Sequence, residues 1–197
     1  TGYACNNSGG VPDNFKNYFV IYVDKDFEQI FSVKDSLMLA DSAEALSQHS
    51  GAVIRFTTQA NEQIHLKIAS SFISLEQAEL NLQRETGHLT FDQACEKAKS
   101  EWNQQLSKIT VEGGSDAQFS TFYTALYRTL LFPRKFYEYN KNGEVVHYSP
   151  YNGKVEKGYM FTDNGFWDTF RAVFPFFTLM YPELNSQIME GLANTYR

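Results

Sequence analysis

Basic residues are scarce in this chain, with 17 Lys and Arg against 23 Asp and Glu and a net charge of −6. No basic stripe is present to neutralise phosphates, which argues against a nucleic-acid binder. Cysteine is scarcer still. Cys5 and Cys95 are too few for a disulfide scaffold and lack metal-ligand spacing, so the reading is two unpaired thiols. No run of eighteen apolar residues exists, and the longest candidate, Ala172 to Tyr181, is too short to span a bilayer and contains Pro175. No signal peptide, Gly-rich phosphate loop, nucleophile elbow or His/Cys/carboxylate cluster with metal spacing is visible. The four histidines are scattered, and His65 alternates with apolar residues as an exposed strand position would. The chain opens on Thr1 rather than Met and ends at Tyr196-Arg197 inside a helical pattern with no stop signal, so the expectation is a fragment of something longer.

What is abundant is aromatic. Of 31 Phe, Tyr and Trp, 20 lie from Phe119 onward. Aromatic rings fill cores and also stack on the flat apolar faces of ligands such as sugars. For most of these rings the core is the expected place.

The first part of the chain has the period of strands. Tyr18 to Val23, Ile30 to Val33, Ala52 to Thr57 and the alternating Ile64-His65-Leu66-Lys67-Ile68-Ala69 are separated by polar stretches, with Met38 to His49 read as a loop. This implies part of an antiparallel sandwich. At Ser74 the period changes: Ser74 with Gln77 and Thr90 with Gln93 are capping boxes that open two helices, the second running through Trp102 to Leu106. A short strand, Ile109 to Val111, and the Gly113-Gly114 turn close this connection. From Asp116 a broad apolar face runs through Phe119, Phe122, Tyr123, Leu126, Leu130 and Leu131 until Pro133 stops it. Asn142-Gly143 signals a hairpin, a second turn follows at Asn152-Gly153, and a last helix runs from Asn185 to Tyr196.

The stretch Gly165-Phe166-Trp167-Asp168-Thr169-Phe170-Arg171 concentrates the chemistry. Read as the start of one helix continuing to Met180, it puts Asp168 and Arg171 on one face beside Trp167, among residues that are nearly all apolar. An acid and a base there are expected to be paired inside the protein or to line a cavity. A carboxylate, a guanidinium and an indole together suit a neutral polyhydroxylated ligand: the acid accepts from hydroxyls, the guanidinium donates in a fork, and the ring offers an apolar platform. Asp163 or Asn164 is expected to be the N-cap of this helix. Arg134 and Glu138 either reach the same cavity or pair across a hairpin.

Several stretches resemble the exo-α-mannosidases of glycoside hydrolase family 92: Val11-Pro12-Asp13-Asn14-Phe15, Tyr18-Phe19-Val20, Ser71-Phe72-Ile73-Ser74, Glu101-Trp102-Asn103-Gln104-Gln105-Leu106, Thr121 to Arg128, Phe132-Pro133-Arg134, and Phe166 to Arg171 with Pro175 following. The resemblance implies an α+β multidomain architecture. Residues 1–74 would be part of an N-terminal antiparallel β-sandwich, 75–115 a helical linker, and 116–197 the first helices of an (α/α)6-barrel catalytic domain. It also implies hydrolysis of α-linked mannosides with inversion, dependence on Ca2+ with most ligands outside this chain, and an oligosaccharide or N-glycan substrate. The Trp-Asp…Arg motif lies at the family's sugar-binding pocket between the domains, which makes Trp167, Asp168 and Arg171 substrate contacts. The catalytic acid and base are expected downstream of this chain, so that the fragment alone would be inactive. Periplasmic or extracellular placement is likewise implied only by resemblance. One departure is visible: many members have Ser where this chain has Gly165. The alternatives are a non-catalytic carbohydrate-binding or structural module, and another (α/α)6 glycosidase such as a glucosidase.

Overall fold

The computed structural model describes residues 1–40, 42 and 44–196, and it divides the chain into two compact units, one of residues 1–20 with 68–197 and one of residues 21–67. Arg197, the last residue of the expected 116–197 domain, lies outside the described residues. So do Asp41 and Ala43 of the expected Met38 to His49 loop.

In order, the strands and helices begin with β1 (Gly2–Ala4), β2 (Asn17–Val23), β3 (Gln29–Lys34), β4 (Leu37–Ala40), β5 (Ser50–Arg55) and β6 (Leu66–Ser71). The smaller unit is built on β3, which pairs antiparallel with β4 on one side and β5 on the other, Ser32 facing Leu39 and Ala52. β4 corrects the expected loop. Lys34 faces Leu37 across a two-residue turn, and Asp35 takes φ 52°, a left-handed conformation that Asp tolerates better than most residues. No Gly marks this turn, which is why the sequence did not announce a hairpin. Two carboxylate contacts close the unit: Lys25 Nζ donates to Glu62 at 2.5 Å, and Asp24 pairs with His65 at 2.7 Å.

In the larger unit β1 lies antiparallel on β2, and the sheet runs in the order β1-β2-β6. Gly2 is needed here, since a Cβ would stand 2.7 Å from the Phe19 ring. The alternation expected of the last strand holds, but Leu66 and Ile68 are on its exposed side and Ser71 is buried.

Helix α1 (Leu75–Leu82) is capped by Ser74, whose side chain accepts from the Gln77 amide. The capping box is only half made: the Gln77 side chain donates instead to Asn81 Oδ1 at 2.9 Å and to the Tyr139 carbonyl at 2.8 Å. A π-turn over Gln83–Gly87 follows. α2 (Phe91–Leu106) carries the full Thr90/Gln93 box, and α3 (Asp116–Thr129) has another at Ser115/Gln118. Residues 109–111 form no strand; the Ile109 carbonyl accepts from the Tyr123 hydroxyl instead.

Next come β7 (Arg134–Lys135), β8 (Glu138–Tyr139), β9 (Val145–Tyr148), β10 (Val155–Lys157) and β11 (Phe161–Thr162), with β8-β9-β10 one antiparallel sheet and β7-β11 another. The Asn14 motif is structural: Asn14 Oδ1 accepts from the Tyr148 hydroxyl at 3.0 Å and its amide donates to the Gly153 carbonyl at 2.8 Å. Gly153, at φ 72°, leaves no room for a Cβ against Asn14 Oδ1. Phe15, Phe72 and Phe136 then stack in series, with centroids 5.5 and 4.6 Å apart.

Three helices end the chain: α4 (Phe166–Thr169), α5 (Val173–Met180) and α6 (Pro182–Tyr196). The last starts at Pro182, three residues before the expected Asn185, with proline in the position where its missing N–H costs nothing. α5, α6 and β11 enclose the core of Phe161, Phe177, Tyr181 and Ile188, backed by Leu130, Tyr137, Tyr159 and Leu192. Burial beside Tyr139 and Tyr159 pushes the Tyr137 hydroxyl well above the usual phenol range. The Tyr181 hydroxyl donates to the Gln105 carbonyl at 3.0 Å, fastening the end of α2 to this core. Among the described residues no helix is long and apolar enough to cross a membrane.

Candidate functional site

The expected single helix from Gly165 to Met180 is broken. α4 is one turn, the chain leaves helical geometry at Ala172 (φ −127°), and α5 begins at Val173. Pro175 explains the break. It has no N–H for the carbonyl of Arg171, and its ring would clash with that carbonyl, so a continuous helix cannot pass through 171–175.

The break changes the chemistry of the motif. Asp168 and Arg171 do not share a continuous helical face, and among the described residues they form no ion pair with each other or with any other residue. Neither is buried, and Trp167 is 87% exposed. Of the two expectations, a pair inside the protein or groups lining a cavity, the pair is not formed among the described residues: an acid, a base and an indole come from one short segment with no ion pair between them. Arg171 lies against the neighbouring Phe170 ring, its guanidinium carbon 5.0 Å from the centroid. Phe166 packs on Phe174 at 6.1 Å.

Neither Asp163 nor Asn164 caps α4. Gly165 occupies the N-cap and makes no side-chain cap hydrogen bond. Thr169 Oγ1 donates back to the Gly165 carbonyl at 2.8 Å. A Cβ placed on Gly165 would stand 3.6 Å from Asp168 Oδ2, so the carboxylate is folded back toward the start of its own turn.

Asp163 has another role. β7 pairs antiparallel with β11, Thr162 opposite Arg134, and this register sets Arg134 Nε to donate to Asp163 Oδ2. Asp163 takes φ 62°, in the left-handed region. That conformation turns the chain from β11 toward α4 and is unfavourable for any residue with a Cβ. The hydrogen bond to Asp163 and its charge raise the affinity of the Arg134 guanidinium for its proton.

Glu138 belongs elsewhere. Its carboxylate accepts from the Ser71 hydroxyl and the Phe72 amide, each at 3.0 Å, and from the Asn81 side-chain amide at 2.7 Å. It lines a recess of about 330 Å³ with Ser70, Asn81, Glu85 and Lys135. Arg134 and Glu138 therefore do not pair with each other across a hairpin. Their partners, Asp163 and Asn81, come from distant segments, and no sequence spacing signals either contact. Cys5 and Cys95 are exposed and free.

Residues 77–197 match the family model described as the glycosyl hydrolase family 92 catalytic domain. The structure of the family GH92 inverting mannosidase BT2199 from Bacteroides thetaiotaomicron VPI-5482 aligns at TM-score 0.95 and 44% identity, over 98% of this chain and 26% of that one. The family GH92 alpha-mannosidase BT3965 from Bacteroides thetaiotaomicron aligns at TM-score 0.78 and 26% identity, over 95% of this chain and 26% of that one. A structure of BT3965 in complex with mannoimidazole aligns at TM-score 0.74, with 26% identity, over 95% and 24%. No curated protein sequence matches at a significant level. The chain spans about a quarter of the length of the solved structures it resembles. It shares their order of antiparallel sheets followed by helices, in keeping with a partial β-sandwich and a helical start. The chain belongs to glycosyl hydrolase family 92.

Proposed function

We propose that this chain is part of an exo-acting α-mannosidase that hydrolyses α-linked mannosides with inversion, and that Trp167, Asp168 and Arg171 hold the sugar. The observation that carries this reading is that one short segment brings the three side chains together, with Asp168 and Arg171 in no ion pair among the described residues. An alternating arrangement of hydroxyls on a sugar ring matches this set. Asp168 accepts two hydroxyl hydrogen bonds, Arg171 donates through its planar fork, and the Trp167 ring covers the apolar C–H face. The proposal is supported by the relatives, one an inverting mannosidase and one solved with mannoimidazole.

Inversion requires a carboxylic acid that protonates the leaving oxygen and a carboxylate that activates water from the opposite face. We assign neither role to Trp167, Asp168 or Arg171, and place the acid and base in the remainder of the full-length enzyme. In the same reading residues 1–74 are sandwich, 75–115 linker and 116–197 the beginning of an (α/α)6 barrel, and the enzyme is periplasmic or extracellular. Family membership implies calcium. Among the described residues no three or more His, Cys, Asp or Glu side chains are grouped to hold a metal ion, so these residues do not fit a calcium site by themselves and no step is drawn through the metal.

The test is release of mannose from α-linked mannobiosides by the full-length protein, with and without a calcium chelator. Mannose release abolished by chelation is the expected result. Cleavage of glucosides only, or indifference to chelation, contradicts the proposal.

A further inference from the structure

We propose that Arg134 is a positioning residue: through its ion pair with Asp163 it fixes the turn from which the exposed Trp167-Asp168 segment starts. This rests on the assignment of that segment to substrate binding.

α4 is one turn long, its N-cap is a glycine without a side chain, and within the turn Phe166 packs on Phe174 and Thr169 bonds back to the Gly165 carbonyl, so the direction of the turn is set by the residues before it. The segment between β11 and α4 is three residues, Asp163, Asn164 and Gly165, and its conformation decides the direction in which the turn leaves the sheet. Asn164 contributes one long hydrogen bond, Nδ2 to the Phe161 carbonyl at 3.4 Å, and its Oδ1 is buried without a partner. Asp163 sits at φ 62°, which an unconstrained aspartate would leave for the broader right-handed or extended regions. What opposes that relaxation is Arg134, held in register by the β7–β11 pair, with Thr162 opposite it and Phe161 opposite Lys135. The tie therefore runs from a paired strand to a strained turn to the sugar-facing residues. An exposed ion pair adds little to global stability. Its effect here is local, on the three-residue turn between β11 and α4.

The test uses the full-length protein with R134A, R134K, D163N and the double variant R134A/D163N. Asparagine tolerates the left-handed conformation, so D163N removes the charge without adding strain. R134A is expected to raise amide hydrogen exchange about tenfold over residues 163–170 while leaving β9 unchanged. It is expected to raise KM for an α-mannobioside about tenfold, with a smaller fall in kcat and little change in Tm. R134K restores part of the loss, because the ammonium keeps the charge but not the Nε–H geometry. The double variant is no worse than the poorer single variant, as for residues on one path. K157M, which breaks the 3.2 Å pair of Lys157 with Glu144, leaves KM unchanged. Exchange over 163–170 equal to the wild type, additive losses in the double variant, or raised exchange with an unaltered KM would each overturn the proposal. If the wild type releases no mannose, the substrate reading falls, and the exchange measurement decides alone: faster exchange supports the tie and unchanged exchange overturns it.

Discussion

The side-chain amide of Asn81 on α1 donates to the carboxylate of Glu138 on β8 at 2.7 Å, joining residues 57 positions apart. The same carboxylate accepts from the Ser71 hydroxyl and the Phe72 amide, so β6, α1 and the β8–β9 hairpin meet on one acid. Arg84 reinforces the junction by donating to the Tyr139, Asn140 and Lys141 carbonyls.

Glu138→Ala leaves the Ser71 hydroxyl and the Phe72 amide without their acceptor in a partly buried place, while Asn81 keeps the Ser70 carbonyl at 3.0 Å. Each stranded group costs about 1–3 kcal/mol, so the variant should lose roughly 2 kcal/mol or more. The check is thermal unfolding of the full-length protein together with amide exchange at Phe72. A Phe72 amide that stays as protected as in the wild type would show that Glu138 is not its anchor.

Gly165→Ser supplies the cap that α4 lacks. The φ of −88° suits any residue, and the added Cβ would lie in ordinary contact with Asp168 Oδ2 at 3.6 Å. Stability should rise by roughly a few tenths of a kcal/mol. The hydroxyl also comes within reach of the Asp168 carboxylate and competes with a sugar hydroxyl for it, so KM should rise about two- to fivefold with kcat little changed. An unchanged KM would mean that the Asp168 oxygen nearest Gly165 does not face the ligand.

Glu62 provides the pH dependence. The hydrogen bond from Lys25 and the amide of Gln59 hold its carboxyl below the ordinary value, so its stabilising effect is complete above the unfolded-state pKa and is lost as pH falls through the lower, folded one. After correction for intrinsic rates, exchange of the Gln59 amide should accelerate on acidification through the carboxylate range. In Glu62→Gln that acid-dependent step should vanish. Its persistence would assign the step to another group.

The parts of the fold legible from sequence are those with local causes. Thr90 with Gln93 made its capping box as expected, because all the atoms involved lie within one turn. The same rule applied to Ser115 and Gln118 would have found the box that opens α3. Gln77 escaped half of its expected box because its amide is drawn to Asn81 and to the carbonyl of Tyr139, 62 residues away, while the Ser74 amide donates to Ser71 Oγ instead. The Trp167-Asp168-Arg171 group stands out in the sequence as an acid and a base among apolar residues, while the break at Ala172 that separates α4 from α5 does not. Burial depends on what packs against a segment, and the apolar composition of 166–180 concealed that Pro175 divides it. The Arg134–Asp163 pair spans 29 residues and exists only through the β7–β11 register.

The account rests most heavily on Asp168, and one comparison reaches it directly: steady-state hydrolysis of an α-mannobioside by full-length wild type and Asp168→Ala, with Tm measured on the same samples. Asp168 is in no ion pair among the described residues, so Tm should move by no more than about 2 °C. Loss of its hydrogen bonds to substrate should lower kcat/KM by about a hundredfold or more. A folded variant with wild-type kcat/KM, or one that unfolds while its folded fraction stays fully active, would contradict the assignment of Asp168 to the sugar.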